Sequence, residues 1–272
     1  MRGGALGRST FLLAGVLLLA NLIGCASEPK VTRPVEPKAS VEDVDSLVRL
    51  GDYLQERGEL STAIALYQRA ANSSEDVGKL IKLGRALANA GATERAAGAF
   101  RRAVSLQPDN PDALLGLGTA FLQLGEIEKS IFYLEQLVEQ GDGTDSVRYA
   151  ALGAALDLAG DHKRAVAIYK EGLEHAPGSL DLKSNLALSF ALNDRPQEAI
   201  DMMRAVTNSL DAERPHHRNL VLVLALAGKH REAVTTGLRL LGEAETQDVL
   251  AQASSARGLT NGADRARAIG ST

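Results

Sequence analysis

The sequence predicts an all-α protein, a solenoid of about six helix-turn-helix repeats behind an N-terminal export segment. Three observations lead there. First, turn-like residues recur at a fixed spacing: Gly58, Gly91, Gly125, Gly160, Asp194 and Gly228 lie 33, 34, 35, 34 and 34 residues apart. Second, each keeps company at constant offsets, a leucine eight residues before it (Leu50, Leu83, Leu117, Leu152, Leu186, Leu220) and a small residue five after it (Ala63, Ala96, Ser130, Ala165, Ala199, Ala233). Third, the chain has 45% hydrophobic residues but only 4% aromatics and no Trp. A core of Leu, Ala, Val and Ile favours closely packed helices over sheets.

The chain begins differently from the way it goes on. Arg2 and Arg8 precede a short apolar run, "FLLAGVLLLA", which ends among small residues, as a secretory signal does. Interrupted by Asn21, the run is too short to predict a membrane span. "LIGC" follows, and its last residue, Cys25, is the only cysteine in the chain. This tetrad resembles the bacterial lipobox. The resemblance implies cleavage after residue 24, a diacylglyceryl thioether on the Cys25 sulfur and an acylated amino terminus. Two or more chains anchor a protein stably where one holds it only marginally. By the sorting rule of such lipoproteins, Ala26 and Ser27 imply the outer membrane. Residues 25–43 carry Pro29, Pro34 and Pro37 among Lys, Glu and Ser, the composition of an extended or disordered linker.

Within the periodic region, Gly51, Gly84, Gly118 and Gly153 directly follow their leucines, and Pro108 and Pro177 lie seventeen residues beyond their turns. These phased offsets resemble the tetratricopeptide repeat, a helix pair of 34 residues whose copies stack. The resemblance implies a right-handed superhelix over 44–247, in units of about 44–76, 77–110, 111–145, 146–179, 180–213 and 214–247. Small residues let paired helices approach, the turn glycine ends the first helix, and proline stops the second. Units five and six depart from the pattern at Ala187, Asp194, Val221 and Gly237, which predicts less regular packing there. Residues 248–272 begin like another first helix and lose the pattern at Gly258, so a capping helix and a flexible tail are expected.

Catalytic chemistry finds little support. There is no HExxH, CxxC, G-x-S-x-G or phosphate-loop motif, and a single cysteine excludes an internal disulfide. His162 and His230 fall where the repeat family has tyrosine, and His217 where it has an aromatic. His216 and His217 are adjacent and diverge on a helix, a poor pair for a metal. No catalytic residue, metal or cofactor is expected, nor a small-molecule substrate. A net charge of −4 gives no electrostatic reason to expect nucleic acid.

What remains is the inner wall made by the first helix of each unit. Its polar residues include Arg85, Asn89, Asp112, Thr119, Gln123, Asp157, Asp181, Ser184, Asn185, Arg218 and Asn219. Of these, Arg85, Asn89, Gln123, Asn185, Arg218 and Asn219 are the candidate partner-binding residues. Asn185 and Asn219 share a repeat position, so stacked amides could hold an extended peptide, or simply follow the repeat consensus and bond local backbone. The two-cation clamp of relatives that bind chaperone tails is not reproduced.

The last two units share a phrase, "SNLALSFALNDRPQEAI" and "RNLVLVLALAGKHREAV". With the lipobox and the six-unit length, this is similar to the TadD-type lipoprotein of tight-adherence (Flp) pilus assembly. That resemblance implies an outer-membrane, periplasm-facing assembly factor or pilotin whose partners are the pilus secretin or other secretion components. A lipoprotein adaptor for cell-wall hydrolases or proteases, or a pilotin of type IV pili, is the alternative on the same scaffold.

Overall fold

The structure is a computed structural model that describes residues 43–140 and 145–270. The signal segment, the acylation site at Cys25 and the linker up to residue 42 lie outside the described residues. Fourteen helices and no strand occur among those described. Twelve of them form six antiparallel pairs: α1 (Val44–Glu56) with α2 (Leu60–Ser73), α3 (Val77–Asn89) with α4 (Thr93–Leu106), and α5 (Pro111–Gln123) with α6 (Ile127–Glu139). The second three are α7 (Ser146–Ala159) with α8 (His162–His175), α9 (Leu180–Leu192) with α10 (Pro196–Thr207), and α11 (Arg214–Leu226) with α12 (His230–Leu240). Each second helix packs on the first helix of the following pair, and first helices also touch one another from α3 onwards. This is the tetratricopeptide solenoid.

One hydrogen bond repeats through all six turns. The amide after each turn residue donates back to a carbonyl five residues earlier: Glu59 to Leu54, Ala92 to Leu87, Glu126 to Phe121, Asp161 to Leu156, Arg195 to Phe190 and Lys229 to Leu224, each at 2.9 Å. This closure requires a left-handed residue at the turn. The glycines supply it in five units, and Asp194 adopts it at φ 54°. Side chains start the first helices of units one to five: Asp43, Asp76, Asn110, Asp145 and Ser179 each accept a backbone N–H of the first turn. Most second helices begin without such a cap, directly out of the closed turn.

The leucines before the turns are buried from the second unit on, Leu83, Leu117, Leu152, Leu186 and Leu220, each contributing about 1.5–3 kcal/mol of apolar burial. Leu50 is the exception at 48% exposure, since among the described residues no earlier helix covers α1. In units one to four the glycine after the leucine faces a large side chain sixteen residues on. A Cβ on Gly51 would sit 2.7 Å from the Tyr67 ring, one on Gly84 2.7 Å from Phe100, and one on Gly118 2.6 Å from Leu134. Gly153 meets Tyr169 in the same way.

Of the looser packing expected in units five and six, unit five shows none, whereas unit six does. Helix α12 buries only Ala233 and Gly237 and meets α11 and α13 less extensively than earlier second helices meet their neighbours, although the departing positions themselves are filled. Ala187 and Val221 are fully buried, and so is Met203 in the place of the earlier rings. Gly237 leaves room that Thr246 fills from the next helix, 2.6 Å from where a Cβ would lie. The C-terminal region also differs from expectation. Helix α13 (Glu243–Arg257) starts before residue 248 and packs on α11 and α12 as the first helix of a seventh unit would. The expected flexible tail holds a further helix, α14 (Gly262–Gly270), which packs on α13, α7 and α9. Docking supplies the order that its own sequence pattern does not.

Candidate functional site

The inner wall is built by the first helices, whose spacing along the stack brings residues of neighbouring units within reach. A line of polar contacts crosses from unit to unit. Lys82 pairs with Asp52 at 2.7 Å, and the buried Tyr67 hydroxyl donates to the same carboxylate at 2.7 Å. Burial acts to raise the Asp52 pKa, but these two donors prevail and hold it below the ordinary carboxylate value. Arg85 pairs with Asp112 at 2.8 Å. Further along, His216 lies 3.1 Å from Asp181, Asn219 donates to Ser184 at 2.9 Å, and Arg218 donates to Gln252 of α13 at 2.8 Å. His216 Nδ1 accepts the Glu213 amide at 2.9 Å, so its Nε2 carries the hydrogen and donates to Asp181.

These contacts divide the six candidate residues into two groups. Arg85, Asn89 and Gln123 are exposed on α3 and α5, with Arg85 held in its ion pair. Gln123 reaches only a 3.5 Å contact with Thr93. The other three, Asn185, Arg218 and Asn219, are half-buried on α9 and α11. Asn219 spends its amide donor on Ser184 and not on Asn185, so the stacked asparagine pair does not form. Ser184 and Asp157, read from the sequence as groove residues, are buried.

Asp157 belongs to a cluster that sequence reasoning missed. Its carboxylate meets His162 Nδ1 at 2.8 Å, accepts the Ser189 hydroxyl at 2.8 Å and lies 3.3 Å from the Tyr169 hydroxyl. Burial raises the Asp157 pKa, against which these three partners act to lower it. Burial beside this carboxylate lifts the Tyr169 phenol well above its ordinary value. Aspartate, histidine and serine are the residue types of a nucleophilic triad, but the connectivity differs. Ser189 and His162 both bond to the carboxylate, and the serine does not face the free imidazole nitrogen that would take its proton. The cluster joins α7, α8 and α9 through one shared acceptor. The only sequence signal was the polar residue three places before a turn glycine.

Among the described residues, no group of His, Cys, Asp and Glu is placed to hold a metal ion. None of the described helices is long and apolar enough to cross a membrane.

Comparison with known proteins agrees with the fold. A family model described as the middle TPR-like domain of cilia and flagella-associated protein 70 matches residues 47–175. No curated protein matches the sequence. Among solved structures, a tetratricopeptide repeat protein from Parabacteroides merdae is similar at a TM-score of 0.67 and 15% identity, over 82% of this chain and 89% of its own. MamA from Desulfovibrio magneticus RS-1 is similar at 0.57 and 20%, over 61% and 94%. YrrB, described as a TPR protein with an unusual peptide-binding site, is similar at 0.51 and 19%, over 71% and 91%.

Proposed function

We propose that this protein is a membrane-anchored scaffold that holds protein partners along its inner wall and performs no chemistry of its own. The carrying observation is the exposed polar surface of α3 and α5. There Arg85, Asn89 and Gln123 present charge and amides on a rigid, closely packed framework. Rigid polar donors and acceptors suit an extended or helical peptide segment, whose backbone needs such partners. The peptide-binding site described for YrrB supports this use of the fold.

The anchor in this reading is Cys25, acylated after cleavage of residues 1–24, with residues 26–43 as the spacer. The lipobox-like "LIGC" supports it. Ala26 and Ser27 favour the outer membrane, with the solenoid facing the periplasm. Cys25→Ser moves the protein from the membrane fraction to the soluble fraction; retention in the membrane refutes the lipid anchor. The repeated phrase in units five and six supports the finer reading, an assembly factor or pilotin of a Flp/Tad-type pilus whose partners include the secretin. Deleting the gene then abolishes secretin multimers and surface pili. Normal piliation refutes that role and favours the adaptor of cell-wall hydrolases or proteases, or a type IV pilotin, which a pull-down from solubilised envelope identifies by partner.

A further inference from the structure

Helix α14 does not continue the stack. After the exposed loop 258–261 the chain turns back, and α14 lies against α7 and α9, the first helices of units four and five. Three features grip it. At its start, Gly262 lies over His162, so that a Cβ there would be 2.5 Å from Nε2, a buried nitrogen with no hydrogen-bond partner. Midway, Arg265 donates to the Leu192 carbonyl at 3.1 Å and lies 3.5 Å from Asp194. At its end, Gln252 donates to the carbonyls of Ala268 and Ile269 at 3.2 and 2.8 Å, while its own oxygen accepts from Arg218. Ile269 packs at the edge of the core.

We propose that α14 is a resident occupant of the C-terminal part of the groove, and that a short helix from a partner protein displaces it. This deepens the scaffold reading and rests on it for the role of the inner wall. Nine residues are too few for a stable isolated helix, so α14 is helical because it is docked. Its buried side chains are two alanines, Ala263 and Ala266. It also underfills its seat. A cleft of about 410 Å³ runs beside Arg265, lined by Leu192, Asp194, Leu226 and Arg257, and another of about 460 Å³ lies between Ile269 and Arg218. The displacing segment is therefore a helix with a small residue over His162, a basic residue one turn later, and larger apolar side chains that fill the clefts. The bonds to its last carbonyls are independent of sequence.

Two measurements on the full chain in detergent test this. In hydrogen exchange of the wild type, the amides of α14 exchange at least tenfold faster than those of α13; equal protection makes α14 a fixed cap and overturns the proposal. A fluorescein-labelled peptide of residues 259–272 binds the Gly262→Val/Arg265→Glu variant at least tenfold more tightly than it binds the wild type, where α14 competes in place. Equal affinity, or no binding to either, overturns it. Failure of both leaves the scaffold reading standing, because Arg85, Asn89 and Gln123 lie on α3 and α5.

Discussion

Asp76 shows how single side chains set the boundaries of this fold. Its carboxylate accepts the Lys79 amide at 3.1 Å at the start of α3. That backbone bond, with the Lys79 ammonium beside it, holds the carboxyl below its ordinary pKa despite some desolvation. Asp76→Ala lowers stability by about 1 kcal/mol at neutral pH, as loss of a helix cap does. A carboxylate held below its unfolded value adds stability above that value, and the addition fades as pH falls through the folded one. Urea melts of wild type and Asp76→Ala should therefore differ at pH 7 and converge as pH falls below the usual aspartate range. A difference that persists unchanged at pH 2 contradicts the capping account. Glycines offer a second residue-scale test within one helix pair. Gly84→Ala drives a methyl to 2.7 Å from the Phe100 ring and costs about 1–3 kcal/mol by overpacking. Gly98→Ala, with nothing within 4 Å of the new Cβ, stabilises α4 by about 0.5–1 kcal/mol. Denaturation midpoints that shift in opposite directions confirm the pair.

At the scale of the element, the closed turn is the repeated device. Five glycines make it freely, whereas Asp194 holds φ 54° with a Cβ in place. Asp194→Gly relieves that strain and stabilises the protein by up to about 1 kcal/mol, less whatever its exposed contact with Arg265 contributes. A rise in the thermal midpoint checks it; a fall shows that the side chain matters more than the backbone. The turns were legible in the sequence because a left-handed residue narrows the choice so sharply, and the phase of the neighbours exposed even Asp194. Leu50 was not legible in the same way. Its local sequence matches that of Leu83 and Leu117, and only its place at the start of the described helices leaves it uncovered. Helix α14 was hidden more deeply. Its apolar stripe is only Ala263, Ala266 and Ile269, too small to announce a helix by itself, and the surface that orders it lies on α7 and α9, far back in the chain. The Asp157 cluster was missed because its partners come from three helices. Helical numbering put Asp157 on the open wall, whereas α8, α9 and α14 close over it.

Across the whole molecule, the apolar residues form two core clusters that meet at α5. Leu114 belongs to the C-terminal cluster, and Leu117 and Phe121 to the N-terminal one. The inner wall divides along a similar line. Its first half is open at Arg85, Asn89 and Gln123, and its second half is tied to α13 and α14 through Arg218 and Gln252. A solenoid of this kind transmits little through its length, since each unit rests mainly on its neighbours. The two halves can therefore hold different partners, or two parts of one. The most direct test of the scaffold account is photo-crosslinking in living cells, with a crosslinking amino acid placed at Asn89 or Gln123 on the inner wall, or at Arg102 on the exposed side of α4. The account predicts a discrete adduct with an envelope protein from the two inner positions and none from Arg102; adducts of equal yield from all three positions, or none from the inner pair, would contradict it.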